Sequence, residues 1–339
     1  MDGEIMTKER VVLVTGACGF VGSHLVDYLL QMAGTDVRAT DLPSADRAFQ
    51  NPSSEFIPSD LRNPESLQQV IQGVDVIYHA ASLFRYSASW EDLHAVNVDG
   101  TRNLAAAAIE AGVSKLVLIS TSGVYGASCS LPIREEEPKR PSNAYERSKW
   151  EQELAVEETC LGSSLETVIL RPAPIYGPRN RYGIATIIRM IAKGQLPVIS
   201  ENLNKLVPLV HVADVVGAAV HLTDYPGETG EAYNVVDDST YRKYDLFSSL
   251  APLLDTKVYH TQIPTPRIAL RTLARWSEWK ARHMTHGEPK VELATVDMMY
   301  NGYWYSNSKL KATGYQLQYP DPRIGLKDTI DWYRLHDWL

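Results

Sequence analysis

"RVVLVTGACGFVGSHLVDYLLQM" (Arg10–Met32) changes character twice in a short span. It opens on an apolar, β-branched run, Val11 to Thr15, passes through glycines, and then sets Val21, Leu25, Tyr28 and Leu29 on one helical face. A short apolar run bounded by glycine reads as a buried strand, and the helical spacing after it as a helix lying on that strand. The turn between them carries Gly16, Gly19 and Gly22. The first glycine permits the tight turn, the second lets a pyrophosphate approach the backbone, and the third lets helix and strand pack closely. At the helix start, around Phe20 and Val21, free N–H groups and the helix dipole favour an anion. The stretch predicts a dinucleotide-binding strand–turn–helix.

The same alternation continues downstream. "DVRATD" (Asp36–Asp41), "VDVIYHAAS" (Val74–Ser82) and "SKLVLISTS" (Ser114–Ser122) read as strands. "NVDGTRNLAAAAIEAG" between the last two reads as a helix of good helix formers, stopped at Gly112. "LETVILRPAPIYGP" is a further strand, ending in a proline-bounded loop. Strands alternating with helices predict an α/β fold: a Rossmann-type, doubly wound parallel sheet. The boundary is placed at Arg171, giving a nucleotide-binding domain over 8–171 and a smaller, mixed, mainly substrate-binding lobe over 172–339. In the second half "ADVVGAAVHLT" reads as a helix and "EAYNVVDD" as a strand, and some later elements are free to return to the sheet.

Composition narrows the function classes. The 339 residues leave room for two lobes, and 33 basic against 41 acidic side chains (net −8) argue against a nucleic-acid binder. Cys18, Cys129 and Cys160 show no CxxC spacing and fit a reducing compartment better than a disulfide framework. No HExxH-like cluster occurs among the histidines, so no metal is expected. "MDGEIMTKER" lacks an apolar stretch of signal length, and no apolar run reaches the roughly 18 residues of a spanning helix. A cytoplasmic enzyme is the expectation.

Asp41 closes the second strand, 19 residues past Gly22. A carboxylate there accepts hydrogen bonds from both adenosine ribose hydroxyls and repels a 2′-phosphate, which predicts NAD over NADP. A turn cap before "LPSADR" is the competing reading. In "SNAYERSKW" (Ser142–Trp150), Tyr145 stands four residues before Lys149, one helical turn away on the same face. A nearby cation favours the phenolate. Oxidising a carbinol needs a base for the hydroxyl proton and the reverse reaction needs an acid, so a tyrosine tuned downward by Lys149 serves both directions.

Together "TGACGFVGSHL", Asp41, "SDLRN", "HAAS", "NVDGTRNL", "STSGVYG", "YERSK" and "RPAPIYGP" resemble an extended short-chain dehydrogenase/reductase of the NAD-dependent epimerase/dehydratase superfamily, over essentially the whole chain. The resemblance implies that Asp60 and Leu61 contact adenine and that Ala80 and Ala81 line the path from pyrophosphate to ribose. It implies that Asn97 holds the active-site backbone, that Lys149 binds the nicotinamide ribose, and that Pro172 and Ile175 pack on the nicotinamide. Thr121 would hydrogen-bond the substrate oxygen, with Ser122 the competing candidate, while Tyr145 moves the proton. Ser82 and Leu83 complete the substrate candidates. A homodimer is the family habit, through the helix carrying Tyr145 and the one after Asn97.

Two substrate classes compete within that family. Its sugar-nucleotide members carry an asparagine before "VYG" and an arginine in "RDFVYV" to hold a diphosphate. Here "RPAPIYGP" has Pro174, and "KLVPLVHV" has Pro208 and Leu209. An anion site without its donors is a poor one. "YSNSKLKATGYQLQYPDPRIGLKDTIDWY" instead resembles the 3β-hydroxysteroid dehydrogenase-like branch, with Thr313 standing where that pattern has leucine. "LFRYSASW", after "HAAS", is an apolar–aromatic loop suited to a lipid-like ring system or to plain core packing. The leading expectation is an NAD-dependent oxidoreductase acting on a secondary alcohol or ketone of a hydrophobic, sterol-like substrate. A carboxylate β to the new ketone would then be labile to decarboxylation. The alternatives are a nucleotide-sugar 4-epimerase or dehydratase that recycles its NAD, and a non-catalytic NAD sensor, against which the presence of both Tyr145 and Lys149 speaks. Lastly, in "IPTPRIALRTLARWSEWKARH", Ile268, Thr272, Leu273, Trp276 and Trp279 share one helical face beside a stripe of Arg267, Arg271 and Arg275. Packing of that apolar face on its own lobe is the expected arrangement, with a pocket cover or a membrane-surface helix as the others.

Overall fold

The computed structural model describes residues 10–126, 131–195, 198–285, 289 and 291–339, so Cys129 lies outside the described residues. Its main sheet has seven strands: β1 (Arg10–Thr15), β2 (Thr35–Thr40), β3 (Glu55–Phe56), β4 (Val76–His79), β5 (Lys115–Ile119), β6 (Glu166–Pro172) and β7 (Glu231–Val235). They lie in the order β7-β6-β5-β4-β1-β2-β3, and every neighbouring pair is parallel. The chain winds one way from β1 to β3 and the other way from β4 to β7. The reversal falls between β1 and β4, where Thr15 stands opposite His79. A crevice at the carboxyl ends of the strands is the physical consequence of such a switch point. Strand β3, two residues long, is too short to show any periodicity and was not foreseen.

Strands covered on both faces are apolar throughout, and alternate residues still sort to opposite sides. Val12, Val14 and Val117 pack with Leu25 and Leu29 of α1 (Phe20–Leu29) and with Val215, Ala219 and Leu222 of α5 (Val212–Asp224). Leu13, Ile77 and Leu116 pack on the other face with Leu67 of α2 (Pro64–Ile71), Leu104 of α3 (Gly100–Glu110) and Val156 of α4 (Ala144–Cys160). Each such side chain contributes about 1.5–3 kcal/mol on leaving water. A third apolar cluster, including Tyr176, Ile188, Leu209, Phe247, Leu326 and Tyr333, forms the core under the second lobe. The helix expected from Asn97 onward starts differently. A π-helical turn, His94–Asp99, precedes α3 and widens the backbone at Asn97.

The Trp/Arg segment departs from its expected packing. It forms α6 (Arg267–Lys280), whose buried residues are Ala274 and Ser277, whereas Ile268, Leu273, Trp276 and Trp279 are exposed. The reason is local. Two residues with small side chains allow close approach, and α6 is bonded to the chain leading into α7 (Leu293–Tyr300): Ser277 Oγ accepts from Val291 N (3.0 Å) and Glu278 Oε1 from Leu293 N (2.7 Å). Arg267 and Arg271 both reach Asp297, at 3.0 and 2.8 Å, which breaks up the expected free stripe. Among the described residues no helix is long and apolar enough to cross a membrane.

Candidate active site

The glycine turn is built by close backbone approach. Gly16 has φ +68°, and a β-carbon there would lie 2.7 Å from Ala81 Cα; at Gly22 it would lie 2.0 Å from Gly16 O. Two of the three glycines are thus required by the turn folding onto itself and onto Ala80–Ala81 at the end of β4. Gly19 caps α1 without any side-chain bond, leaving the first N–H groups of the helix, from Phe20 on, aimed out of a turn that carries no side chain at its glycines. That cradle fits a pyrophosphate.

Around it, Asp41 Oδ2 accepts from Cys18 N (2.9 Å) and Oδ1 from Leu42 N (2.8 Å). Its carboxylate therefore caps the turn and faces the glycine loop at once. Burial raises its pKa, and the two N–H groups pull it back. The Asp60 carboxylate is forked by Arg62 (2.6 Å to NH2), which holds it below the usual carboxylate range. Leu61 packs on Gly100, and its carbonyl accepts from Asn103 Nδ2 (3.0 Å).

Helix α4 starts where Asn143 caps Glu146 N (2.9 Å) and Glu146 Oε2 answers Ser142 N (2.7 Å), a reciprocal cap. Its inward stripe is polar: Tyr145, Ser148, Lys149, Gln152 and Glu153 are all buried. Lys149, 2% exposed, donates to Ile119 O at the end of β5 (2.8 Å) and to Gln152 Oε1. Gln152 Nε2 donates to Thr101 Oγ1 (2.7 Å), and Thr101 in turn donates to Asn97 O (2.7 Å). With the Thr101 proton so placed, His79 Nε2–H donates to Thr101 Oγ1 (2.8 Å), and His79 Nδ1 accepts from Thr15 (2.7 Å). Burial, reinforced by Lys149, lowers the His79 pKa to about 3, so the imidazole is neutral. A continuous polar chain thus runs from β1 through β4 to the amine of Lys149. Sequence reading missed Gln152, Thr101 and His79, although His79 and Thr101 lie inside the quoted "HAAS" and "NVDGTRNL".

Burial lowers the Lys149 pKa to about 7, against the pull of Glu153. Burial also pushes the Tyr145 phenol above its ordinary value, Glu146 adding to the rise. The expected downward tuning of Tyr145 by Lys149 is therefore not what the protein alone provides, because the ammonium is directed at Ile119 O and Gln152. Glu146 was also missed: buried and raised by that burial, its side chain lies over Gly123, where a β-carbon would come within 2.9 Å of its Cγ. The capping pattern of "SNAYE" was the available signal.

Thr121 caps the short turn Ser122–Tyr125, its Oγ1 accepting from Gly123 N (3.1 Å), and is half-buried. Ser122 is buried and hydrogen-bonds Tyr305. Thr121 is the more accessible of the two hydroxyls. Asn97 Oδ1 accepts from Leu83 N (2.7 Å) and Ser82 Oγ (3.1 Å), and its Nδ2 donates to Ser148 Oγ (2.9 Å), tying the loop after β4 to α4. That loop sets the Phe84 ring 4.9 Å and the Tyr86 ring 5.7 Å from Tyr145, both edge-on, with Tyr182 5.9 Å from Phe84. Pro172 ends β6 opposite Val235, and Ile175 follows in a two-residue strand, Ile175–Tyr176, beside Val210. Beneath them Arg171 NH2 and Glu153 Oε2 form a buried ion pair (2.7 Å); Glu153 also accepts from Ser120 Oγ.

The model of the NAD dependent epimerase/dehydratase family matches residues 12–235. A sterol-4-alpha-carboxylate 3-dehydrogenase, decarboxylating, of Bos taurus is 29% identical over 273 residues, 77% of this chain and 74% of its own. An N-acetyl-alpha-D-glucosaminyl-diphospho-ditrans,octacis-undecaprenol 4-epimerase of Escherichia coli O157:H7 is also 29% identical, over 258 residues, 75% of this chain and 76% of its own. A solved structure described only as gox2253 superposes with a TM-score of 0.78 at 30% identity, covering 96% of this chain and 98% of its own.

Proposed function

As the chain belongs to the NAD dependent epimerase/dehydratase family, extended short-chain dehydrogenases/reductases that use NAD, we propose that it interconverts a secondary alcohol and a ketone on a hydrophobic, 3β-hydroxysteroid- or sterol-like substrate. The observation that carries this reading is the aromatic wall of Phe84, Tyr86 and Tyr182 beside Tyr145. Edge-on rings next to a proton-transfer group offer apolar area to a flat ring system, and the two tyrosine hydroxyls among them bring no charge to a diphosphate. The positions where sugar-nucleotide members place their donors hold Pro174, Pro208 and Leu209, the last two buried. The sterol carboxylate dehydrogenase relative supports the same substrate class.

Bound NAD supplies the hydride acceptor; the chain does the rest. The uncapped start of α1 and the Gly19 turn would hold the pyrophosphate, Asp41 the adenosine ribose, and Asp60–Leu61 would flank the adenine. Ala80 and Ala81 would line the path from pyrophosphate to ribose, Pro172 and Ile175 would pack on the nicotinamide, and Asn97 holds the active-site backbone through Leu83, Ser82 and Ser148. Thr121 Oγ1 orients the substrate oxygen, and Tyr145 Oη takes the hydroxyl proton on oxidation and returns it on reduction. Lys149 Nζ would bind the nicotinamide ribose and lend its charge to the phenolate as that forms. A phenol raised by burial starts as the acid, so the lysine charge is needed most in the oxidative direction.

A second reading keeps the same machinery. A cavity of about 420 Å³ in the second lobe is lined by Lys205, Arg242, Tyr300 and Tyr303, among others. Two cations there suit an anionic substrate group, whether a ring carboxylate or the diphosphate of a nucleotide sugar. The deciding assay supplies NAD with a 3β-hydroxysteroid and follows reduced nicotinamide. Stoichiometric free NADH, lost in Tyr145→Phe, is the expected result. Conversion of a UDP-sugar to its 4-epimer with no net NADH would replace this reading with the second.

A further inference from the structure

The solvent-facing pole of α6 and its continuation is apolar and unusually exposed for so many large side chains: Ile268 81%, Met284 62%, Trp276 55%, Trp279 52% and Leu273 48%. With Ala274 and Ser277 turned inward, the helical period puts Ile268, Thr272, Trp276 and Trp279 on the opposite side. Cations border this ridge. Arg275 is exposed along one flank, and on the other Lys280 Nζ sits 5.2 Å from the Trp276 ring. The acidic groups close by are turned away: Glu278 is bonded to Leu293 N, and Asp297 to Arg267 and Arg271. Residues 267–284 carry five basic side chains and one acidic one, in a chain whose net charge is −8. With Arg267 and Arg271 paired to Asp297, Arg275 and Lys280 are the cations that border the exposed tryptophan ridge of an otherwise acidic protein.

We infer that this ridge docks on an anionic lipid surface. Tryptophan rings settle at the headgroup level, apolar side chains enter the acyl boundary, and flanking lysine and arginine meet anionic headgroups. Each basic residue near such a surface adds to the attraction, and salt weakens it. The docking itself does not rest on the substrate reading, and vesicle binding and NADH formation fail independently.

The test is co-sedimentation of the full chain with phosphatidylcholine vesicles, with and without phosphatidylglycerol. The expected result is pelleting with the anionic vesicles that falls with added salt. W276S/W279S and R275E/K280E are each expected to weaken it about tenfold or more. Circular dichroism of both variants confirms the fold, and light scattering measures the oligomeric state. Absence of anionic-vesicle binding by the folded wild type overturns the proposal, as does unchanged binding by either folded variant. So does a wild-type oligomer that W276S/W279S converts to monomer, which would make a second copy the occupant.

Discussion

Lys149 is the group whose environment makes the largest checkable demand. Its pKa falls from 10.5 to about 7 because the ammonium is fully buried. At about 1.4 kcal/mol per pH unit, holding that charge in the fold costs about 5 kcal/mol where the folded and unfolded chains both carry it. A lysine depressed on folding binds more protons unfolded than folded between the two values. Stability therefore rises with pH from about 7 to about 10.5, and below 7 the whole cost is present. Lys149→Met removes this dependence. It also removes the donor to Ile119 O and Gln152 Oε1, an offset of about 1–3 kcal/mol that does not vary with pH. Lys139 and Lys243, each lowered to about 8, and Asp237, raised to about 8, titrate nearby but identically in both proteins. The measurement is denaturant unfolding of wild type and Lys149→Met at a series of pH values. The wild-type curve should gain on the variant by up to about 1.4 kcal/mol per unit above pH 7. Parallel curves would refute the depressed amine and leave Lys149 charged through the whole range.

Gly22→Ala puts a β-carbon 2.0 Å from Gly16 O, so the turn must open; a loss of about 1–3 kcal/mol and of NAD-induced thermal stabilisation is expected in a melting assay. Glu153→Gln leaves the Arg171 guanidinium buried without its partner, and a loss of about 3–5 kcal/mol in denaturant unfolding follows. Phe84→Ala, at a ring 44% exposed, should change stability by no more than about 0.5 kcal/mol yet raise KM for a hydrophobic alcohol about tenfold while leaving the affinity for NAD unchanged.

The sheet was legible because buried parallel strands are rich in apolar residues, with a glycine directly after β1 and a proline closing β6; β1, β4, β5, β6 and β7 all fall within their quoted stretches. The glycine turn was legible because no side chain can replace hydrogen where Gly22 meets Gly16. Asp41 was ambiguous in the sequence, and its bonds explain why: one carboxylate closes a turn and faces the glycine loop. The α6 ridge misled because an apolar helical face normally marks the packed side. Here small side chains made the contact and large ones were left outside, a distinction that periodicity alone does not carry.

The polar stripe of α4 was the hardest part to read, and the reason is instructive about the site. Ser148, Lys149, Gln152 and Glu153 follow Tyr145 at helical spacing, but their types belong on a solvated face. Burying them costs several kcal/mol unless each finds a partner. Each does: Asn97 for Ser148, the end of β5 for Lys149, Thr101 for Gln152, and Ser120 with Arg171 for Glu153. Apolar residues of similar size would hold the helix as well or better, since satisfied buried polar groups add little net stability. What they would not do is fix its rotation. A helix bonded at successive turns to β5, β6 and the chain leading into α3 has one allowed register, and that register sets where Tyr145 Oη stands relative to the crevice between β1 and β4. The stripe makes sense as the support of the proposed proton-transfer group, and a core-forming helix would have had no need of it.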